Sequence, residues 1–267
     1  MDRLKVAAVQ MVSTTSVDGN LARAQALVAE AAATGARLVV LPEYFCLMGQ
    51  RDTDKLGVAE AHGDGHLQRA LAELAREHRI WLVAGTLPLL SPEPGKVYNS
   101  TLVYAPDGRE ACRYDKVHLF GFSGLGERYA EADTILPGDA PASFGMPGAQ
   151  VALGVCYDLR FAELFRSLAP FDVLVLPAAF TAITGEAHWE VLLRARAIEN
   201  QCYVVASAQG GLHENGRRTW GHSMIIDPWG RIEACLPEGE GVVVAELDPA
   251  RLSSVRARLP ALDHRVF

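Results

Sequence analysis

Short apolar runs that alternate with amphipathic segments are the feature that most restricts the fold of this chain. Strands are predicted where apolar residues run together, at 4–12, 38–41, 80–86, 151–155, 173–176, 203–208 and 241–247. Helices are predicted where apolar residues recur every three or four positions, at 19–34, 67–78, 161–168 and 187–200. Continuous apolar runs are typical of parallel strands covered on both faces. The chain is therefore predicted to be a layered α/β protein.

Two hairpin signals interrupt this alternation. Residues 97–105 and 110–118 flank a Pro-Asp-Gly turn, and a second turn falls at 227–230. Hairpins join antiparallel strands, so the sheets are predicted to be mixed. The pattern after Asp248 is mixed and predicts no defined element.

An internal similarity suggests two related halves. The segment 38–45, LVVLPEYF, is matched by 173–180, VLVLPAAF. Each segment follows a predicted helix and ends its strand with Leu-Pro. We therefore expect two packed mixed sheets whose halves are related by a pseudo-twofold axis.

Composition restricts the partners and the compartment. The chain has 267 residues, is 49% hydrophobic and carries a net charge of −7, which disfavours nucleic acid and acidic membrane surfaces as partners. No apolar run is long enough to cross a bilayer, and the N-terminal residues lack the hydrophobic region of a secretory signal. Five cysteines without paired spacing predict reduced thiols in a cytoplasmic protein. No long polar linker is present, so we expect a single domain over 1–267.

Cys156 stands between a predicted strand and a predicted helix. A cysteine at such an elbow is held rigidly and faces a crevice. The positive end of the helix would favour its thiolate, which is the nucleophilic form. The alternative is that Cys156 is a small core residue, as most free cysteines are.

Two further residues could supply the base and the cation that a nucleophilic cysteine needs. Glu43 comes directly after Leu-Pro at a strand end, where an α/β protein forms its usual crevice. Lys116 follows the predicted hairpin strand. The alternatives are a helix cap or surface charge for Glu43 and a solvated side chain for Lys116.

Three motifs, taken together and in order, are more specific than any one residue. They are LPE at 41–43, YDKVHL at 114–119 and GVCYDLRF at 154–161. With them the chain resembles the nitrilase superfamily of carbon–nitrogen hydrolases over essentially its whole length. The resemblance implies an α-β-β-α sandwich of two mixed sheets, catalysis without a metal or an organic cofactor, and a homodimer or higher homo-oligomer.

The resemblance also implies a catalytic set. The glutamate, lysine and cysteine of the family fall on Glu43, Lys116 and Cys156. A further glutamate of the family falls on Glu131, in the loop after the lysine, with Glu127 as the alternative. For the dimer interface we expect the helix after Cys156 and the tail at 259–265.

Amide hydrolysis requires a nucleophile, a base and stabilisation of an oxyanion. Glu43 is expected to take the proton of Cys156, and Lys116 with the backbone N–H of Tyr157 to hold the oxyanion. Glu131 is expected to position Lys116 and the substrate amide. The closeness of two carboxylates should raise the pKa of at least one of them, as a general acid near neutral pH requires.

The second half of the chain, from 180 to 230, looks most like the deaminated glutathione amidase branch of the superfamily. That resemblance implies a small-molecule amide substrate, cleaved to 2-oxoglutarate and cysteinylglycine as metabolite repair. One alternative is an ω-amidase acting on 2-oxoglutaramate or another small carboxylate amide. An alternative of another class is a catalytically silent interaction protein on the same fold.

An anionic substrate needs a cation to bind it. Arg160 is placed for bidentate binding of a carboxylate, although an ion pair with Glu163 or Asp158 is an equal alternative. The Arg217-Arg218 pair could meet a more distant carboxylate, or could simply be solvated. Phe180 is expected to line the pocket, with a core position as the competing interpretation.

Overall fold

The computed structural model describes residues 1–124 and 127–266, without the side chain of Glu127. This part of the chain contains α-helices α1 Val17–Ala33, α2 His66–His78, α3 Ala162–Leu168, α4 Ala182–Asn200 and α5 Pro249–Arg258. Its first sheet contains β1 Leu4–Gln10, β2 Leu38–Val40, β3 Trp81–Val83, β4 Leu87–Leu90, β5 Val97–Tyr104, β6 Glu110–Asp115 and β15 Gly241–Leu247. A small hairpin contains β7 Gly121–Gly124 and β8 Glu127–Ala130. The second sheet contains β9 Ser143–Met146, β10 Ala149–Leu153, β11 Val173–Ala178, β12 Tyr203–Ala208, β13 Ser223–Ile226 and β14 Ile232–Leu236.

The two sheets share one plan. In the first sheet, β1, β2 and β3 are parallel, with β15 and β5 antiparallel at their flanks. In the second sheet, β10, β11 and β12 are parallel, with β9 and β13 antiparallel at theirs. The strands β2 and β11, which carry the repeated Leu-Pro segment, are the central parallel strands of their sheets. This common plan agrees with the two expected halves.

The sheets pack face to face and are covered by helices on the outside. Side chains of β1 and β2 alternate between two core clusters: Val6 and Val40 face the second sheet, whereas Val9 and Val39 face α1 and α2. The second sheet is covered by α3 and α4, where Trp189 is completely buried. Because both faces of the central strands are covered, their sequences are apolar without interruption. The predicted α-β-β-α sandwich is confirmed.

Some helices and strands begin at other residues than predicted, and some were not predicted at all. Helix α4 begins at Ala182, capped by the Thr181 hydroxyl, five residues before the predicted start. Helix α5 forms in the segment described as mixed, and begins with Asp248 as its cap and Pro249 in its first turn. The short strands β4 and β9 were not predicted, because four residues carry too little periodicity.

Candidate active site

Three chain segments that leave the sheets bring Glu43, Lys116 and Cys156 together. Strand β2 ends at Val40, and Leu41-Pro42 leads to Glu43. Strand β6 ends at Asp115, and the Lys116 N–H then donates to Asn99 O at 3.0 Å, which keeps the lysine beside β5. Strand β10 ends at Leu153, and Gly154-Val155 leads to Cys156.

Lys116 lies at the centre of the cluster and is completely buried. Its Nζ donates to Glu43 Oε1 at 2.9 Å and to both carboxylate oxygens of Glu131, at 2.9 and 2.8 Å. The structure therefore places both predicted glutamates on one ammonium group. The side chain of the alternative, Glu127, lies outside the described residues.

Glu43 is held by donors from two other elements. Asn99 Nδ2 donates to its Oε1 at 3.0 Å, and the Ala179 N–H after β11 donates to its Oε2 at 3.0 Å. Gln209 Nε2 donates to the Glu43 backbone carbonyl at 3.1 Å. The carboxylate is thus fixed in orientation from both sheets.

Glu131 is held at the start of a single 3-10 turn after β8. The Tyr44 hydroxyl donates to its Oε1 at 2.7 Å, and the Phe120 N–H donates to its Oε2 at 2.6 Å. Tyr44 follows Glu43 directly and has a positive φ of 56°. The turn at Glu43-Tyr44 therefore points two successive side chains towards the Lys116 cluster.

Cys156 begins a 3-10 turn, Cys156–Arg160, and has a positive φ of 48°. A non-glycine residue in this region is strained and is held there by its surroundings. The buried carboxylate of Asp158 provides that support. It accepts from Val155 N–H at 2.8 Å, Tyr114 OH at 2.7 Å and His118 N–H at 3.1 Å.

The pKa values of the two glutamates, Glu43 and Glu131, are shifted in opposite directions. Burial raises the pKa of Glu43, and the negative charge of Glu131 adds to the rise against the effect of Lys116. Burial would also raise the pKa of Glu131, but Lys116 and the Phe120 N–H outweigh it and lower that pKa. Burial would lower the pKa of Lys116, but the two carboxylates hold it well above its usual value. Glu43 is therefore suited to exchange protons, and Glu131 is suited to remain ionised.

The expectation that a helix end favours the Cys156 thiolate is wrong. Helix α3 begins only at Ala162, after the 3-10 turn Cys156–Arg160, so Cys156 lies outside the first turn of the helix, where the helix dipole acts. Burial and the Glu43 carboxylate raise the pKa of Cys156 well above its usual value, with Lys116 opposing them. If Cys156 acts as a nucleophile, its thiol must therefore lose its proton during the attack.

Cys156 lines two neighbouring spaces. The larger, here called the main cavity, measures about 590 Å³ with its open mouth and is lined by Glu43, Glu131, Lys55 and Arg217 among others. The smaller, here called the side hollow, measures about 210 Å³. Its lining consists of Phe120, Cys156, Tyr157, Arg160, Ala179, Phe180, Thr181 and Thr184. Cys156 borders both spaces and is itself only 8% exposed.

The three predicted substrate-binding residues all line the side hollow. The Arg160 guanidinium lies 5.6 Å from the Tyr157 ring centre and 5.4 Å from that of Phe180, and Nη1 is 3.3 Å from His188 Nδ1. The alternative ion pair with Glu163 or Asp158 is not formed. Phe180 is 5% exposed and also packs on Trp189, so it combines the pocket and core positions.

Sequence reasoning missed Tyr44, Asn99 and Lys55. Tyr44 could have been found, because it follows Glu43 directly in the Leu-Pro-Glu segment. Asn99 and Lys55 had no such signal, since their positions depend on which strands and turns pack together. Arg217 and Arg218, which were left undecided, line the main cavity and form ion pairs with Asp52 and Glu238.

In residues 1–124 and 127–266 there is no group of three or more His, Cys, Asp and Glu side chains placed to hold a metal ion. No helix within the same residues combines the length and the apolar character that crossing a membrane requires.

Known proteins resemble this chain both in sequence and in fold. The chain is 45% identical over 267 aligned residues to a deaminated glutathione amidase of Synechocystis, covering 98% of this chain and 97% of that protein. It is 35% identical to the omega-amidase NIT2 of Mus musculus, covering 99% and 96%. The crystal structure of Saccharomyces cerevisiae Nit3, a member of branch 10 of the nitrilase superfamily, superposes with a TM-score of 0.89 at 32% identity and covers 100% of this chain and 97% of that one. The sequence pattern of the family described as Carbon-nitrogen hydrolase matches residues 5–257, and the chain therefore belongs to the carbon–nitrogen hydrolase family.

Proposed function

We propose that this protein is an amidase in which Cys156 is the nucleophile, Glu43 the general base and acid, and Lys116 the oxyanion-stabilising cation. The main support for the proposal is the buried Lys116 ammonium group. It is bound by Glu43 and Glu131 and lies beside Cys156, which borders the main cavity. An ion pair with a purely structural role would not need two carboxylates whose pKa values are shifted in opposite directions next to a nucleophilic residue.

In the first step, Glu43 accepts the proton of Cys156 while Sγ bonds to the amide carbon. The oxygen of the substrate carbonyl takes up the electron pair of the C=O bond and is stabilised by Lys116 and by the Tyr157 N–H. The protonated Glu43 then transfers its proton to the amide nitrogen as the C–N bond breaks. The products of this half-reaction are the free amine and a thioester on Cys156.

In the second step, Glu43 takes a proton from water as the water oxygen bonds to the thioester carbon. The C–S bond breaks, the carboxylic acid is released, and the Cys156 sulfur recovers its proton from Glu43. Glu131 keeps Lys116 charged and in place through both steps. A raised pKa suits Glu43 to this exchange, because a general base and acid works best near the working pH.

For the substrate, we propose deaminated glutathione, which would be cleaved to 2-oxoglutarate and cysteinylglycine. The relative named deaminated glutathione amidase at 45% identity supports this choice. Arg160, between the rings of Tyr157 and Phe180, would bind the carboxylate of the 2-oxo acid in the side hollow. The second candidate is 2-oxoglutaramate, which has the same acyl part and is supported by the relative named omega-amidase.

Steady-state hydrolysis of both amides tests this proposal, with release of 2-oxoglutarate as the readout and Cys156→Ala as the control. We expect a higher kcat/KM for deaminated glutathione, with all turnover lost in the variant. Preference for 2-oxoglutaramate would select the second candidate. The absence of Cys156-dependent turnover of either amide would favour the catalytically silent interaction protein.

We also propose that residues 1–267 act as one cytoplasmic domain that forms a homodimer through α3 and the tail at 259–265. The five cysteines, all without a disulfide, support a reducing compartment. Sedimentation equilibrium of the full chain would measure the oligomeric state.

A further inference from the structure

Two cations border the spaces around Cys156 without a carboxylate partner. Lys55 lies in the 3-10 turn Asp54–Val58, and its Nζ donates to Thr134 Oγ1 at 3.2 Å. Arg160 contacts His188 and two aromatic rings. Among the side chains that the structure describes, no carboxylate oxygen lies within 4.0 Å of either cation.

The two cations lie in different spaces. Lys55 lines the main cavity, and Arg160 lines the side hollow. Cys156 borders both spaces, so a substrate whose scissile amide lies at Cys156 can extend one end towards each cation.

The other charges of the main cavity already have partners. Asp52 accepts from Arg217 at 2.6 Å, and Arg218 pairs with Glu238 at 2.9 Å. The carboxylates of Glu43 and Glu131 both bind Lys116. Among the described residues that line the main cavity, Lys55 is therefore the cation without a direct carboxylate contact, and it is available to bind an anionic ligand.

The environment of Lys55 makes such a ligand favourable. Burial lowers the pKa of its ammonium group, with Glu131 and Asp52 opposing this effect. The ammonium also lies 5.6 Å from the ring centre of Tyr44. A partly buried cation without a direct carboxylate contact is costly, and a bound carboxylate would offset that cost.

The position of Glu43 decides which end of the substrate meets Lys55. Glu43, which gives its proton to the leaving nitrogen, lines the main cavity, whereas the side hollow is bordered by Tyr157 and Phe180. Measured with its open mouth, the main cavity is also the larger of the two spaces, which suits the larger part of the substrate. The amine part of the substrate should therefore occupy the main cavity, and the acyl part the side hollow.

We propose that Lys55 binds a carboxylate on the amine side of the scissile amide, opposite Arg160, which binds one on the acyl side. The inference rests on the proposed function and makes it more specific. The preferred substrates are linear amides that carry a carboxylate on both sides of the bond to be cleaved. Deaminated glutathione has both carboxylates, whereas 2-oxoglutaramate has only the one on the acyl side.

The two substrates provide the test. Lys55→Met should lose about 10- to 100-fold more kcat/KM with deaminated glutathione than with 2-oxoglutaramate, mainly through KM, because a hydrogen bond between charged groups is lost. Lys55→Arg keeps the charge and should restore most of the preference. Arg160→Met should lower kcat/KM for both substrates by a similar factor. Lys96→Met, which removes a cation paired with Glu93 away from both spaces, is the matched control.

Equal losses for the two substrates in Lys55→Met, or a greater loss with 2-oxoglutaramate, would overturn the inference and leave the proposed function intact. If the wild-type protein hydrolyses neither amide, the proposed function itself fails. Calorimetric binding of deaminated glutathione to Cys156→Ala, with and without Lys55→Met, is then decisive for Lys55. Weaker binding in the double variant supports the subsite, and unchanged or undetectable binding overturns it.

Discussion

The hydroxyl of Tyr114 donates a 2.7 Å hydrogen bond to Oδ2 of Asp158, and this bond joins the strand that leads to Lys116 to the turn that carries Cys156. Both side chains are at least 99% buried. Oδ1 of Asp158 accepts from the N–H of His118, two residues beyond Lys116. One buried carboxylate therefore sets the position of the nucleophile relative to the cation.

Tyr114→Phe should affect both stability and catalysis. Removal of a hydrogen bond to a buried carboxylate is expected to lower the free energy of unfolding by about 1–3 kcal/mol. The loosened turn should lower kcat/KM by about tenfold, because small displacements of reacting groups are costly. Urea unfolding and steady-state hydrolysis measure the two effects.

Tyr203→Phe is the matched control for Tyr114→Phe. The Tyr203 hydroxyl is also hydrogen-bonded, to the backbone of Asp248, at a site away from Cys156. This variant should lose stability and keep its kcat/KM. If Tyr114→Phe also kept its kcat/KM, the positioning role of the Tyr114–Asp158 bond would be wrong.

Glu131→Gln should move the acid limb of the kcat/KM profile to lower pH. Glu43 must be ionised to accept the Cys156 proton, so activity is lost as the pH falls through the raised pKa of Glu43. The charge of Glu131 contributes to that rise, so its removal should move the acid limb to lower pH while also lowering kcat. Glu93→Gln, an exposed carboxylate paired with Lys96, should leave the limb in place.

Asn99→Asp should move the same limb in the opposite direction. Asn99 Nδ2 donates to Glu43 Oε1 at 3.0 Å, and a carboxylate at this buried position would replace a donor by a like charge. The pKa of Glu43 should rise further, and the acid limb should move to higher pH. A pH profile that stays unchanged in Asn99→Asp would show that the limb does not report Glu43.

Gly85→Ala should destabilise the turn that presents Glu43. Gly85 has a φ of +42°, and a Cβ there would lie 2.2 Å from the Pro42 carbonyl oxygen. Strain and overpacking together predict a loss of about 2–4 kcal/mol in the free energy of unfolding. Gly57→Ala, where a Cβ meets nothing within 4 Å, should change it by less than about 0.5 kcal/mol. Similar losses in both variants would contradict the close approach at Pro42.

The layered α/β class with mixed sheets and the strand ends before Glu43 and Cys156 could be predicted because their signals are local. The α-β-β-α sandwich and the set of Glu43, Lys116 and Cys156 followed instead from the resemblance to the nitrilase superfamily. Central strands covered on both faces must be apolar without interruption, and the residues after such strands lie at one edge of a sheet. The hydrogen bond from Asn99 to Glu43 could not be predicted, since it depends on the packing of residues 56 positions apart.

The first turn of α4 was missed for a different reason. Its sequence contains Gly185, which disfavours a helix interior. The glycine is required by tertiary packing, because a Cβ at this position would lie 2.2 Å from Trp220 Cβ. The raised pKa of Cys156 was missed because it follows from burial and from Glu43, neither of which the local sequence around the cysteine reveals.

The most direct test of the account is rapid-quench mass spectrometry of the intact protein during hydrolysis of deaminated glutathione. We expect a transient increase by the mass of the 2-oxoglutaryl group, mapped by digestion to Cys156 and absent from Cys156→Ala. Turnover without this thioester, or a modification at another residue, would contradict the assignment of Cys156 as the nucleophile.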